Sequence, residues 1–299
     1  MIIALLVGRG GSVGLPNKNV YPVLKRPLMS YPLLAAQNSK FVDDVYVSTD
    51  SKAIEEVGIK FGAKIIKRPA ELATSEAVLE DTFLHAYKFI KDQLKEELEF
   101  VVILMCNAVM ILPETIDKGI EILRSKKDLD SAVTVSDYNM FSPIRARKIG
   151  KDGCLNPFIP FDQFKFQVDS NRQKQDKVYF HDCGASIVRP YCIENVHQGL
   201  LPQKWMGKKI YPLTQTGGLD IDYIYEIPIA ENWLKEKGFT ENKLPYKKRK
   251  RLWYDYDTES TCARTEAALN WSGRTDATDQ SRRKKSGGAV NVDLGIKGK

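Results

Sequence analysis

Short apolar runs alternate with segments of helical spacing through the first 135 residues. The run Ile2–Val7 leads directly into a glycine-rich turn, and Phe100–Cys106 is the most apolar run of the chain. Helical patterns separate these runs, the longest of them at Ser75–Leu94. Strands that alternate with helices at this spacing form parallel sheets covered on both faces. The sequence therefore predicts a three-layer α/β fold, doubly wound around a mostly parallel sheet.

The alternation weakens beyond residue 137. Gly184–Val188 has strand character, and Ile227–Lys237 predicts a last helix with Pro228 in its first turn. After Gly238 the residues are mostly polar, small or charged, without sustained periodicity. We therefore predict a domain of residues 1–237 and a basic, poorly ordered tail of residues 238–299.

The formal net charge of +7 is concentrated in that tail. Residues 238–299 hold 14 Lys and Arg against 8 Asp and Glu, a balance of +6, which leaves +1 for residues 1–237. The basic run Lys247–Arg251 beside Trp253 is a combination that can bind single-stranded nucleic acid. We prefer a solvated tail, because a polar, aperiodic, charged segment stays hydrated. Nucleic acid is therefore an unlikely partner, and one for the tail only.

The composition also bears on the cellular compartment. No stretch approaches the ~20 apolar residues of a membrane span. The five cysteines are odd in number and scattered, and the three histidines form no cluster. These features predict a cytoplasmic protein with reduced thiols, without a membrane partner or a zinc site.

The turn after the first apolar run is the strongest local motif. Glycines at the carboxyl end of a first strand allow close backbone approach to a ligand and direct N–H groups at anionic oxygens. Arg9 and Lys18 bracket this turn with positive charge. The pattern is neither a Rossmann nor a Walker motif. It favours phosphate binding, and the alternative is a tight turn with solvated cations.

This turn, Arg9–Asn19, resembles the opening motif of the CMP-sugar synthetases, the acylneuraminate cytidylyltransferases and their relatives, in which Arg-x-x-Ser-Lys-Gly-(Leu/Ile)-Pro-x-Lys-Asn binds CTP. The likeness continues through Val47–Asp50, Arg68–Ala73 and Asp220–Asp222, in the family's order. The chain is identified as a divergent member, with the fold of nucleotide-diphospho-sugar transferases.

The resemblance implies a nucleotide site. The matching positions are Arg9, Ser12, Lys18, Asn19 and Arg68. The backbone of the glycine turn, at Gly8, Gly10 and Gly11, completes the predicted nucleotide site. Among the matching positions, Arg9 and Lys18 would stabilise the leaving pyrophosphate and act in catalysis. Asp50 either supports the nucleotide loop or caps the following helix; the sequence leaves both open.

Asp220 and Asp222 are candidate metal ligands. Residues i and i+2 of an extended segment point to the same face, and a carboxylate pair with substrate phosphates suits Mg²⁺. A solvated acidic loop is the alternative interpretation of the pair alone. Three further residues are candidates for binding the acceptor: Asn107, Arg145 and Asp182.

Three positions depart from the family pattern. Val13 replaces a lysine, Met105 replaces the glutamine expected near the base, and Ile111 replaces an arginine. These changes indicate an altered pocket.

The resemblance implies Mg²⁺-dependent transfer of CMP from CTP to a nonulosonic, sialic-acid-like sugar acid, with release of pyrophosphate, by a homodimer. The alternatives are a cytidylyltransferase for another sugar acid of the 3-deoxy-octulosonate type, and a nucleotide-binding protein that has lost catalysis.

Overall fold

The computed structural model describes residues 1–12, 14–138 and 141–246. Its strands are β1 (Ile2–Val7), β2 (Pro22–Val23), β3 (Arg26–Pro27), β4 (Asp44–Thr49), β5 (Lys64–Lys67), β6 (Phe100–Met105), β7 (Ser131–Asp137), β8 (Arg147–Ile149), β9 (Leu155–Pro157), β10 (Tyr179–Val188) and β11 (Ile210–Gln215). Its α-helices are α1 (Ser30–Asn38), α2 (Lys52–Lys60), α3 (Leu79–Gln93), α4 (Pro113–Ser125), α5 (Pro190–Glu194) and α6 (Ile227–Glu236).

Seven strands form one central sheet in the order β11-β7-β10-β6-β1-β4-β5. Only β10 runs antiparallel to its neighbours within this sheet. The other strands make two small hairpins, β2–β3 and β8–β9. The mostly parallel sheet that the sequence predicts is therefore confirmed.

The first strand shows why helices cover both faces. All six residues of β1 are buried. Ile2 and Leu6 belong to a core cluster with residues of α1, α2 and α4, whereas Ile3 and Leu5 belong to a second cluster with residues of α3 and α5. Because successive side chains of a strand point to opposite faces, a strand that is apolar throughout requires cover on both sides.

The sheet order reverses beside β1. The chain proceeds from β1 to β4 and β5 on one side and returns to β6 on the other. In open α/β sheets, ligands bind at such a switch point, outside the carboxyl ends of the strands. The turn after β1 lies at this point.

A third core cluster packs against that turn. Leu15 of the turn and Ile221 pack there with residues of α6. The cluster also contains Phe239, whose ring lies 5.5 Å from that of Tyr31 and 5.4 Å from that of Tyr246. The packed chain thus extends past residue 237, the end of the predicted domain, to residue 246. The rest of the predicted tail, residues 247–299, lies outside the described residues.

Residues 141–180, which we call the apolar arm, connect β7 to β10. They include the β8–β9 hairpin, in which Ile149 and Leu155 pair across the strands and are 76% and 72% exposed. Further large apolar side chains of the arm are exposed, namely Phe141, Phe158, Phe161, Phe166, Tyr179 and Phe180.

The sequence interpretation missed β11. This strand lies at the edge of the sheet, most of its side chains are not buried, and Pro212 is at its centre. An edge strand tolerates proline because one of its sides needs no ladder hydrogen bonds. Among the described residues, no helix combines the length and the apolar character needed to cross a membrane.

Candidate active site

The backbone of the turn after β1 is held close to the neighbouring strands. Gly8 donates its N–H to the carbonyl of Ser48 at 3.2 Å. A Cβ atom at Gly8 would lie 2.8 Å from the Sγ atom of Cys106, so only glycine fits without displacement. Gly11 has a φ of 69°, which favours glycine. The motif therefore meets geometric needs of this turn.

Two side chains fix the turn further. The amide of Asn19, a buried residue, donates to the carbonyl of Arg9 at 3.2 Å. The carboxylate of Asp50 accepts the N–H of Gly10 at 3.0 Å. Ser51 stands at the start of α2 without a capping side-chain hydrogen bond. In the structure Asp50 thus contacts the glycine turn, as one of the two roles that the sequence left open requires.

A cavity of about 400 Å³ opens over the turn. Predicted site residues that line it are Gly8, Arg9, Ser12, Lys18, Asn19, Arg68, Asn107, Asp220 and Asp222. Gly10 and Gly11 belong to the same turn, although they do not line the cavity. Tertiary folding therefore gathers residues from four separate segments around one space.

Arg68 forms one wall of the cavity while being only 8% exposed. Its Nη2 donates to the carbonyl of Ser48 at 2.8 Å, and its Nε has no hydrogen-bond partner among the described residues. Burial lowers the pKa of its guanidinium, and the nearby charge of Asp50 partly opposes this effect. A buried cation with an unused donor is suited to an anionic ligand.

Asp220 and Asp222 lie together at the opposite side of the turn. Ile221 between them is fully buried in the third core cluster, so the two carboxylates share the other face of the segment. The Nδ2 atom of Asn107 lies 3.4 Å from a carboxylate oxygen of each aspartate. Burial, followed by the charge of Asp222, raises the pKa of Asp220. Asp222 also accepts a hydrogen bond from the ammonium of Lys18.

Two predicted acceptor residues lie elsewhere. The carboxylate of Asp182 is buried and accepts hydrogen bonds from Ser136 (2.6 Å), Gln215 (2.9 Å) and the N–H of Gly184 (3.2 Å). This aspartate is therefore used within the protein. Arg145 lines a different cavity, in the apolar arm. The structure does not bring either side chain to the cavity over the turn.

The remaining wall of the cavity is formed by residues that the sequence analysis did not propose as ligand contacts. They are Leu79, Met105, Cys183, Gln203, Trp205 and Tyr223. Cys183 reaches the cavity because β10 is irregular between His181 and Ser186 and places Cys183 at a φ of 59°. Bulges of this kind redirect side chains near active sites. No sequence period marks such an irregularity.

The three departures from the family pattern have different positions. Met105 lines the cavity, whereas Ile111 is buried in the first core cluster and takes no part in the lining. Val13 lies outside the described residues. Of these changes, the one at Met105 alters the surface of the described cavity.

Comparisons with known proteins identify cytidylyltransferases as similar chains. A family profile described as "Cytidylyltransferase" matches residues 3–147. The N-acylneuraminate cytidylyltransferase of Oncorhynchus mykiss is 26% identical over 239 residues, which cover 80% of this chain and 51% of that protein. The chain is therefore similar to cytidylyltransferases. Two bacterial relatives extend the similarity: the CMP-N,N'-diacetyllegionaminic acid synthase of Legionella pneumophila (32% identity; 52% of this chain, 65% of that protein) and the pseudaminic acid cytidylyltransferase of Campylobacter jejuni (28%; 61% and 75%).

The coverage of relatives is uneven. The chain spans about half of the Oncorhynchus mykiss cytidylyltransferase and 33% of the length of a Helicobacter pylori relative that carries a cytidylyltransferase and a hydrolase. A solved structure of a CMP-2-keto-3-deoxy-manno-octonic acid synthetase has the same fold, with a TM-score of 0.57 at 16% identity over 79% of this chain and 99% of that one. The match to that cytidylyltransferase confirms the predicted fold class.

Proposed function

We propose that this chain is a cytidylyltransferase that uses CTP to activate a nonulosonic, sialic-acid-like sugar acid, giving a CMP-sugar and pyrophosphate. The proposal rests on the cavity, which is lined by Arg9, Lys18 and Arg68 together with a pair of aspartates. Three cations that line one cavity suit a triphosphate. The relatives named for N-acylneuraminate, legionaminic acid and pseudaminic acid support the choice of acceptor.

The chemistry follows from positioning and neutralisation of charge. The anomeric oxygen of the acceptor forms a bond to the α-phosphorus, the bond from that phosphorus to the bridging oxygen breaks, and the hydroxyl proton passes to solvent. Arg9 and Lys18 neutralise the charge that grows on the departing pyrophosphate. Preorganised cations in a partly dry cavity lower the barrier without having to reorganise.

Mg²⁺ fits the donor set. Asp220 and Asp222 present hard oxygen atoms within 3.4 Å of one amide nitrogen, and their mutual repulsion contributes to the raised pKa of Asp220. The described residues contain no group of three or more metal-ligating side chains, so water and substrate oxygens would complete the shell. When bound to this pair, Mg²⁺ would neutralise phosphate charge.

The test is pyrophosphate release from CTP and Mg²⁺ with a panel of sialic, legionaminic, pseudaminic and octulosonic acids. We expect release with at least one nonulosonic acid and none without an acceptor. Release with octulosonic acid alone would support the alternative acceptor. CTP binding without release for every acid would support loss of catalysis instead, and the change to Met105 motivates that alternative.

We further propose that the protein is a homodimer that pairs through the apolar arm. Ile149 and Leu155 are each more than 70% exposed on one hairpin, and a second copy of the same surface would cover them. Leu155→Asp is expected to convert a dimer to a monomer in analytical ultracentrifugation. A wild-type monomer at high concentration would contradict the proposal. A cytoplasmic location is proposed as well, where CTP is available and the thiols of Cys106 and Cys192 stay reduced.

A further inference from the structure

Gln203 presents a polar group to the cavity that the proposed nucleotide site does not use. It lines the cavity from the loop that precedes β11. That loop is anchored directly after the glutamine. Trp205 is 3% exposed and packs edge-on against Phe83 at 5.0 Å, and the carbonyl of Met206 accepts the hydroxyl of Ser131 at 2.6 Å. The position of Gln203 is therefore set by the core of the protein.

His181 determines how the amide of Gln203 is oriented. The Nε2 atom of Gln203 donates to the Nδ1 atom of His181 at 2.9 Å. A histidine nitrogen that accepts a hydrogen bond carries no proton, so the ring proton is on Nε2, which lies 3.4 Å from the hydroxyl oxygen of Ser186. Burial lowers the pKa of His181 to about 4, which keeps the ring neutral and Nδ1 available as an acceptor at neutral pH.

The oxygen of the Gln203 amide remains available to a ligand. The Oε1 atom of Gln203 has no hydrogen-bond partner within the described residues and is not fully buried. With one N–H of Nε2 committed to His181, the amide still presents Oε1, its hydrogen-bond acceptor, together with the second N–H. An oxygen of this kind accepts a hydrogen bond from a hydroxyl or an amide N–H group.

The sheet order places Gln203 on the acceptor side. Arg68 follows β5, whereas His181 belongs to β10, four strands away across the sheet. At about 4.8 Å per strand, the backbones of β5 and β10 are separated by roughly 19 Å. The glycine turn follows β1, midway between β5 and β10, so a triphosphate bound between this turn and Arg68 leaves the β10 side for the second substrate.

We infer that Gln203 is a specificity-determining residue that accepts a hydrogen bond from a hydroxyl or acylamino group of the sugar acid, and that His181 is the positioning residue that fixes its orientation. This inference rests on the proposed function, because it assigns the β10 side of the cavity to the acceptor. It names two residues that no motif of the sequence marks.

The first experiment measures steady-state kinetics of Gln203→Leu with both substrates. Loss of one uncharged hydrogen bond predicts about a tenfold rise in the KM of the acceptor, with the KM of CTP unchanged. Gln198→Leu is the matched control, because Gln198 is exposed nearby and does not line the cavity. Two sugar acids that differ at one carbon, with an acylamino group in one and a hydroxyl in the other, identify the hydrogen-bond donor. In Gln203→Leu, the KM rises for the sugar acid whose group makes the bond.

The second experiment tests His181 separately. His181→Phe is expected to raise the acceptor KM about as much as Gln203→Leu, and the double variant to show no additional loss, because both changes remove one interaction. His181→Asn, which keeps an acceptor atom near Nδ1, is expected to restore much of the wild-type KM. A merely structural role for His181 would give additive losses and no such rescue.

A third measurement does not depend on turnover. The ¹⁵N spectrum of the full chain is expected to show His181 as the neutral Nε2–H tautomer at pH 7, and the Nδ1–H tautomer would overturn the assignment. Active wild type with an unchanged acceptor KM in Gln203→Leu, or a raised KM for CTP in that variant, would overturn this inference alone. A wild-type protein inactive with every acceptor would overturn the proposed function and the inference together.

Discussion

The ammonium group of Lys18 is hydrogen-bonded to the carboxylate of Asp222, a residue 204 positions away in the sequence. The pair joins the turn after β1 to the aspartate segment, and its side chains are 20% and 51% exposed. Under the proposed function, Lys18 binds phosphate and Asp222 binds Mg²⁺. Binding of both ligands therefore requires the two residues to exchange partners, and until then each neutralises the other.

Replacement of Lys18 by methionine removes the charge while keeping most of the side-chain length. We expect kcat to fall about 100- to 1,000-fold, since the loss of one preorganised group that stabilises the leaving charge has this size in other enzymes. Pyrophosphate release measures the effect. Lys64→Met is the control, because Lys64 also pairs with an aspartate, Asp44, but at the sheet edge. An equal fall of kcat in both variants would show that Lys18 has no special role in catalysis.

Asp220→Asn is expected to lower the activity without lowering the stability of the fold. Activity should fall at least about 100-fold and the Mg²⁺ concentration for half-maximal rate should rise, because one anionic oxygen donor is lost. In the absence of metal the variant should unfold at the same or a higher temperature than wild type, since burial and Asp222 raise the pKa of Asp220 and disfavour its charge. Asp128→Asn, at an exposed position, is the control. A strongly destabilised Asp220→Asn would show that the carboxylate is structural.

Stability should depend on pH through His181. Its pKa is about 4 in the folded chain against an ordinary value of 6.5, so between these values the unfolded state binds more protons. The free energy of unfolding therefore falls as pH decreases from 6.5 to 4, by up to about 3 kcal/mol. Denaturant unfolding at pH 7 and pH 5 measures the change. His181→Asn should weaken this dependence, whereas His197→Asn, at an exposed residue, should retain it.

Two truncations should differ sharply. A chain that ends at Tyr246 is expected to bind CTP and to unfold like the full chain. A chain that ends at Lys237 loses Phe239 and the carbonyls of Thr240 and Glu241, which accept from the buried Arg26 at 2.6 and 2.8 Å. Removal of one buried aromatic ring alone costs about 3–5 kcal/mol. Thermal unfolding and CTP titration measure both effects. Loss of CTP binding in the longer chain would show that residues beyond 246 belong to the site.

Local patterns of the sequence predict much of the fold and about half of the residues that line the cavity. The uniformly apolar β1 requires a sheet covered on both faces, and the glycine turn after it has geometric needs that other residues do not meet. The spacing of Asp220 and Asp222 places their carboxylates on one face of the segment, because side chains alternate along an extended chain. These properties follow from neighbours in sequence, so a sequence by itself determines them.

The tertiary structure determines which other residues line the cavity and where the packed chain ends. Cys183 reaches the cavity through an irregularity in β10, Gln203 through a loop anchored by Trp205, and Asp182 is drawn inward by Ser136 and Gln215. The packed chain extends past residue 237 because Phe239 fills space beside Tyr31. Each of these outcomes depends on residues distant in the chain, which meet only when the sheet order is established. The apolar alternation and the glycines determined that a tight turn would follow the first strand, and long-range packing decided which residues share the cavity with it.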